Sequence, residues 1–219
     1  MSFFLFCYLL IGDVLREQKS IDYSSFVYKD APKGIKVSFD SSVMIVSLRG
    51  EALANGSGNL LSYKGELYVV TASHVVEDNL LLMAIEKDGT KIPLKIVFQD
   101  KDMDIAFLKL LGDPKSTKAA PIRFAKDNLI GKPVYHCGHP AYLSFNISEG
   151  IITSIVGNSF IISSFSLPGS SGSIVFDEDG KIVGVISSIM TYGDGEIKEL
   201  VGEVVRVFPI EKKYLDDKL

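Results

Sequence analysis

The stretch Ser166–Phe176 reads SLPGSSGSIVF. A serine flanked by glycines, just after Pro168 and just before the apolar run Ile174-Val175-Phe176, describes a tight loop feeding a buried strand. Such a loop suits acyl transfer for a physical reason. The attacking hydroxyl must stand clear of its own backbone, and neighbouring N–H groups must converge on the oxygen that becomes negative in the transition state. Glycine lets the backbone come that close and adopt φ > 0 without a Cβ clash. Taken alone, the same string also describes a plain glycine-serine turn between two strands, so the rest of the chain has to decide.

A serine nucleophile needs a base, normally histidine. His74, His136 and His139 are the three histidines, and all precede Ser171. The order Ser, acid, His with a G-x-S-x-G elbow, as in lipases and esterases, is therefore excluded: no histidine follows Ser171, and Ser173 stands where that elbow needs glycine. The order His, Asp, Ser remains, and it belongs to the double β-barrel arrangement.

Outward from this loop, the composition fits a folded β protein. The 219 residues suffice for one domain or two packed lobes, and 47% apolar with 23% charged residues supports a full core. The net charge is −4, and Lys and Arg are scattered, which argues against a nucleic-acid surface. With only Cys7 and Cys137, a disulfide-stapled framework is not expected. Phe3–Ile11, FFLFCYLLI, is too short to span a bilayer as a helix. Its length fits the apolar region of a signal or anchor, yet no Lys or Arg precedes it and no A-x-A-like site follows. It fits equally a strand or helix docked on the body. The first case implies export or membrane association, the second a cytoplasmic protein.

Four segments are expected. Residues 1–36 form the apolar segment and lead-in, 37–111 a first β-barrel lobe, 112–120 (GDPKSTKAA) a polar linker, and 121–219 a second lobe ending in a short helix after Pro209. In the first lobe, Ser42–Leu48 reads as a strand, Asn55-Gly56-Ser57-Gly58 as a turn, and Asn59–Leu61 and Leu67–Thr71 as a hairpin delivering the chain to His74. Lys91–Phe98 alternates as a half-buried strand, and Ile105–Leu111 is another. The second lobe repeats this style from Val134–Cys137 to Val201–Phe208. Many short strands with almost no helical periodicity predict an all-β protein.

Three strings together resemble the trypsin-like serine protease family: Thr71-Ala72-Ser73-His74, Asp104-Ile105-Ala106-Phe107-Leu108-Lys109, and Pro168-Gly169-Ser170-Ser171-Gly172. The branch most resembled is the HtrA-like, bacterial type without disulfides, which Gly138-His139-Pro140 and Asp179-Gly180-Lys181-Ile182-Val183-Gly184 also suggest. The resemblance covers about Ser42 to Phe208. It implies two six-stranded antiparallel β-barrels of the chymotrypsin type, a cleft between them, and a protein or peptide substrate. It implies no cofactor and no metal. Ser171 is expected as nucleophile, His74 as base and Asp104 as its partner, with the oxyanion hole at Gly169, Ser170 and Ser171. Asp104 is preferred to Asp102 because it abuts an apolar strand. Phe165, Ser166 and Leu167, with Ser187, Ser188 and Ile189, are expected to wall a shallow apolar specificity pocket, Phe165 at its base. Ser187 is further expected on the edge strand that pairs with substrate.

Two departures from the family stand out. Ser173 replaces a second glycine after Gly172, and Ser170 replaces the aspartate that in the digestive branch pairs with a newly cut N-terminus. The first favours a second reading, a protease-fold binding protein without turnover. His136-Cys137-Gly138-His139 could suggest a metal, but a tetrahedral site needs further ligands and there is no second Cys/His cluster.

Overall fold

The computed structural model describes residues 29–50, 52–126, 129–192, 199–210 and 212–219. Phe3–Ile11 and Cys7, with the expectations attached to them, lie outside these. No helix among the described residues is long and apolar enough to cross a membrane.

Twelve strands form two closed antiparallel barrels. The first contains β1 (Ser42–Arg49), β2 (Ala52–Tyr63), β3 (Glu66–Thr71), β4 (Leu81–Ile85), β5 (Lys91–Asp100) and β6 (Ile105–Leu110), ordered β1-β2-β3-β6-β5-β4. The second contains β7 (Pro133–Gly138), β8 (Asn146–Val156), β9 (Ser159–Ser164), β10 (Ile174–Asp177), β11 (Ile182–Tyr192) and β12 (Glu199–Phe208), ordered β10-β11-β12-β9-β8-β7. This is the architecture the resemblance implies. Closure removes open sheet edges. The alternating strands face one side inward: on β8, Ser148, Gly150 and Ile152 are buried, whereas Ile147, Glu149, Ile151 and Thr153 point out. Strands that read as continuous apolar runs are buried on both faces, as in Ile105–Leu108. The apolar cluster around Val69, Val70, Phe107 and Leu108 continues into Ile174, Phe176 and Val185 of the second barrel. A helix at the C-terminus, α2 (Lys212–Lys218), buries Leu215 against the same cluster.

Two local expectations are corrected. Asn55-Gly56-Ser57-Gly58 is not a turn but the middle of β2, with Gly56 opposite Ile45 and Gly58 opposite Val43. The chain reverses earlier, near Gly50, whose φ is +57°. These glycines serve close packing: a Cβ at Gly56 would lie 2.6 Å from a Val75 methyl, and one at Gly58 would lie 2.7 Å from a Val69 methyl. The second correction is a helix, α1 (Lys33–Ser41), where the end of the lead-in, to residue 36, and the start of the β lobe, from Val37, were expected. Its sequence KGIKVSFDS contains Gly, two serines and two β-branched residues, all poor helix formers. Its serines turn inward on their own helix, Ser38 Oγ donating to Ile35 O at 2.9 Å and Ser41 Oγ to Val37 O at 2.8 Å. Tertiary packing carries the helix instead. A Cβ at Gly34 would sit 2.3 Å from the Asp177 carbonyl, so only glycine lets α1 lie this close to β10. Lys87 Nζ caps the far end by donating to Phe39 O at 3.1 Å and Asp40 O at 3.0 Å.

Segment 112–120 is tied to the first barrel by a buried carboxylate. Glu86, 2% exposed, accepts the amides of Lys115 at 2.8 Å, Ser116 at 3.2 Å and Thr117 at 2.8 Å. Asn59 of β2 joins three elements. Its Nδ2 donates to Ser41 Oγ of α1 at 2.8 Å, and its Oδ1 accepts the Ile174 amide of β10 at 2.8 Å. Asn59→Ala strands a buried amide at the barrel junction, and each such group costs about 1–3 kcal/mol. A urea titration is expected to show a loss of at least that size, with the slope of the transition unchanged.

Candidate active site

His74 lies in a 3-10 turn, Ser73–Val75, directly after β3. Asp104 closes the loop that opens β6, with φ +47°, a left-handed conformation that Asp tolerates better than most residues. The two loops lie side by side because β3 pairs with β6, Thr71 opposite Ala106. The imidazole Nδ1 of His74 is 2.8 Å from Asp104 Oδ2, and the His74 backbone N–H donates to Asp104 Oδ1 at 3.0 Å. One carboxylate thus fixes both ring and backbone and makes Nδ1 the protonated nitrogen, leaving Nε2 as an acceptor. Asp102 is not part of this arrangement; it is exposed in the turn that Asp100 caps by accepting the Asp102 amide at 3.0 Å.

Ser187 adds a third bond to Asp104, its Oγ donating to Oδ2 at 2.5 Å. It occupies a β-bulge of β11, between Ile186 opposite Val207 and Ser188 opposite Arg206, and a bulge re-aims the side chain that it carries. Alternation alone could not have revealed this role. Burial would by itself raise the Asp104 carboxyl, but the hydrogen bonds from His74 and Ser187 and the imidazole charge outweigh it and hold the group below its ordinary value.

Ser171 comes from the second barrel, on the loop between β9 and β10. Its Oγ donates to the Ser187 carbonyl at 3.2 Å, so Ser187 touches both the carboxylate and the serine. The loop meets the first barrel at Gly172, φ +92°, where a Cβ would fall 2.1 Å from Ser57 O and 3.0 Å from Ala72 N, two residues before His74. No other residue fits there.

The amides of this loop alternate. Ser170 N donates to Leu167 O at 2.9 Å and Gly172 N to Ile186 O at 2.8 Å. Among the described residues no backbone carbonyl engages the amides of Gly169 or Ser171. The carbonyls on the opposite sides of those two peptide planes are held, Pro168 O by Ala141 N at 2.7 Å and Ser170 O by Ser173 N at 3.1 Å. A trans peptide points its N–H away from its carbonyl, so both free amides are fixed in direction. This removes Ser170 from the expected oxyanion set, since its amide is committed to Leu167.

The expected pocket residues separate. Phe165 is 48% exposed and does not form a buried base; Ser166, fully buried with an unpartnered hydroxyl, lies below the surface instead. Leu167 and Ile189 are half-buried and Ser188 is exposed. His136 and His139 belong to separate polar networks. His136 Nε2 is 3.0 Å from Ser164 Oγ. His139 Nδ1 accepts the Phe145 amide at 3.2 Å, so its Nε2 carries the proton toward Ser42 Oγ at 3.2 Å. Among the described residues no group of three or more His, Cys, Asp or Glu side chains could hold a metal.

The family model for the trypsin-like peptidase domain matches residues 56–185. A serine protease Do-like HtrA of Bacillus subtilis is 29% identical over 193 residues, covering 75% of this chain and 43% of that protein. A probable periplasmic serine endoprotease, DegP-like, of Halomonas elongata is 30% identical over 148 residues, covering 64% and 30%. The chain therefore spans less than half the length of these relatives. A serine endoprotease structure from Yersinia pestis superposes with a TM-score of 0.66 at 21% identity, covering 88% of this chain and 65% of that one. The HtrA-type protease AlgW with tripeptide gives 0.69 at 20% identity, covering 84% and 60%.

Burial holds His136 neutral, its pKa lowered from 6.5 to about 4, and His139 likewise to about 3. Below pH 6.5 the unfolded chain takes up protons that the folded chain refuses, so this stability is complete above 6.5 and lost as pH falls toward 4 and 3. The urea midpoint is expected to drop on going from neutral pH to about 4.5, and His136→Gln to reduce that drop; an identical pH slope in the variant would contradict the assignment.

Proposed function

The chain belongs to the trypsin-like peptidase family, and on that footing we propose that it is a serine endopeptidase acting through Ser171, His74 and Asp104. The observation that carries this reading is the meeting of two half-sites. One barrel offers a histidine fastened to a buried carboxylate, Nδ1 to Oδ2 2.8 Å. The other offers a serine beside two amides of fixed direction.

Ser171 Oγ leaves the Ser187 carbonyl, gives its proton to His74 Nε2 and bonds to the carbonyl carbon of the substrate. The oxygen that becomes negative is received by the Gly169 and Ser171 amides, where one donor is worth about 10²–10³ in turnover. His74 returns the proton to the leaving amine, giving an acyl-enzyme and a free amino product, and then activates the water that releases the acid. Asp104 keeps the imidazole in the required tautomer and stabilises its cation without itself taking the proton.

For the specificity pocket, we propose a shallow apolar site walled by Leu167 and Ile189. No acid occurs in Phe165–Pro168 or Ser187–Ile189, and a buried Lys or Arg would need one. Cleavage is expected after small or medium aliphatic residues, graded rather than absolute, since one methylene is worth about 1–3 kcal/mol. The name periplasmic on the Halomonas relative favours export, under which Phe3–Ile11 serves as leader or anchor.

A fluorophosphonate probe is expected to label the folded protein at Ser171, and Ser171→Ala to abolish both labelling and peptide hydrolysis, in comparable triads a loss on the order of 10⁶ in turnover. No labelling of folded wild type would support the binding-protein reading instead. In a peptide-library profile, Ala, Val, Leu and Ile should dominate at the residue cut after, and Ile189→Gly should admit Phe. A dominant preference for Lys or Arg would falsify the pocket.

A further inference from the structure

Ser57 sits in the Gly56-Ser57-Gly58 run of β2, on the barrel that does not carry the nucleophile, and it is fully buried. Every hydrogen-bonding group it has is used at the junction. Its Oγ donates to Gly169 O at 2.7 Å and accepts the His139 amide at 2.9 Å. Its N–H donates to Ser171 O at 2.8 Å, and its carbonyl accepts Thr71 Oγ1 at 2.7 Å.

We propose that Ser57 is a positioning residue for the oxyanion hole, an inference that rests on the serine-peptidase reading of Ser171. The Gly169–Ser170 and Ser171–Gly172 peptide planes flank the plane that presents the Ser171 amide. Ser57 pins the carbonyl of both: one through its side chain, the other through its backbone. Together with Ala141 N on Pro168 O and Ser173 N on Ser170 O, four consecutive carbonyls are held. Rotation of any one plane would then break a bond, and at Gly169 or Ser170 it would strand the carbonyl of a buried residue. Ser57 touches neither substrate nor the reacting atoms; it acts through the loop. Asn55, two residues earlier on the same strand, extends the hold by donating Nδ2 to His139 O at 2.8 Å, next to Gly169.

The side-chain half of this function is separable from folding. Ser57→Ala keeps the backbone bond to Ser171 O and frees the Gly169 carbonyl and the His139 amide. Its kcat is expected to fall about tenfold to hundredfold, below the full loss of one hole donor, with KM changed less than about twofold. Affinity for a peptide aldehyde, whose tetrahedral adduct needs the hole, should fall in step with kcat. Affinity for the matching peptide product, which does not need it, should hold. Ser57→Thr, which keeps the hydroxyl, should recover most of the loss; circular dichroism and the urea midpoint report whether each variant is folded. A folded Ser57→Ala with wild-type kcat and aldehyde affinity overturns the proposal, as does equal weakening of aldehyde and product. If wild type itself neither hydrolyses peptides nor reacts with a fluorophosphonate, it is the peptidase reading that fails, and Ser57 is not the cause.

Discussion

His74 and Ser171 are carried by different barrels, so the roles proposed for them depend on how those barrels are held against each other. Apolar contact alone is non-directional and would tolerate sliding. The junction is instead crossed by hydrogen bonds of β2, two of them buried: Asn59 Oδ1 accepts the Ile174 amide at 2.8 Å, Ser57 Oγ donates to Gly169 O at 2.7 Å, and the part-buried Asn55 Nδ2 donates to His139 O at 2.8 Å. Each of these must be made or a buried polar group is stranded. A shift of an ångström would break several at once, which converts a greasy contact into a registered one.

The turn between β4 and β5 acts as a second fastening, through two adjacent residues with opposite charges. Glu86 gathers three amides of segment 112–120, part of the chain that runs from β6 to β7. Lys87 reaches the carbonyl end of α1 and lies over the Phe39 and Phe145 rings, 5.3 and 5.6 Å from their centroids. Burial lowers its pKa, although the nearby Cys137, Asp40 and Glu86 favour its charge. Neither residue stands out in the sequence, where Glu86-Lys87-Asp88-Gly89 looks like a solvated turn.

What the sequence makes legible is what depends on local pattern. A strand such as Lys91–Phe98 shows in period-two alternation, and His74, Asp104 and Ser171 stand in recognisable strings. What stays hidden depends on tertiary contact. The Gly-rich run in β2 looks like a turn because glycine's two uses, positive φ and close approach, leave the same letter. α1 is invisible because its residues disfavour helix and tertiary contact, above all with β7 and β10, sustains it. Ser187 reaches Asp104 through a bulge, and no spacing rule announces one. Phe165 reads as a pocket floor by its distance from Ser171, yet the ring faces solvent and the buried residue is its neighbour Ser166.

Cys137 carries a consequence for where this fold can exist. Its thiol is free, fully buried and pushed up to about 12 by desolvation, which outweighs the opposing pull of Ser42 and Lys87. Only a thiolate attacks disulfides or is readily oxidised. The two barrels as described therefore neither need an oxidising milieu to close a cross-link nor offer one a point of attack. Glutathione, peroxide or a disulfide-forming enzyme would find the same two barrels, and among the described residues the covalent framework is unchanged between reducing and oxidising surroundings.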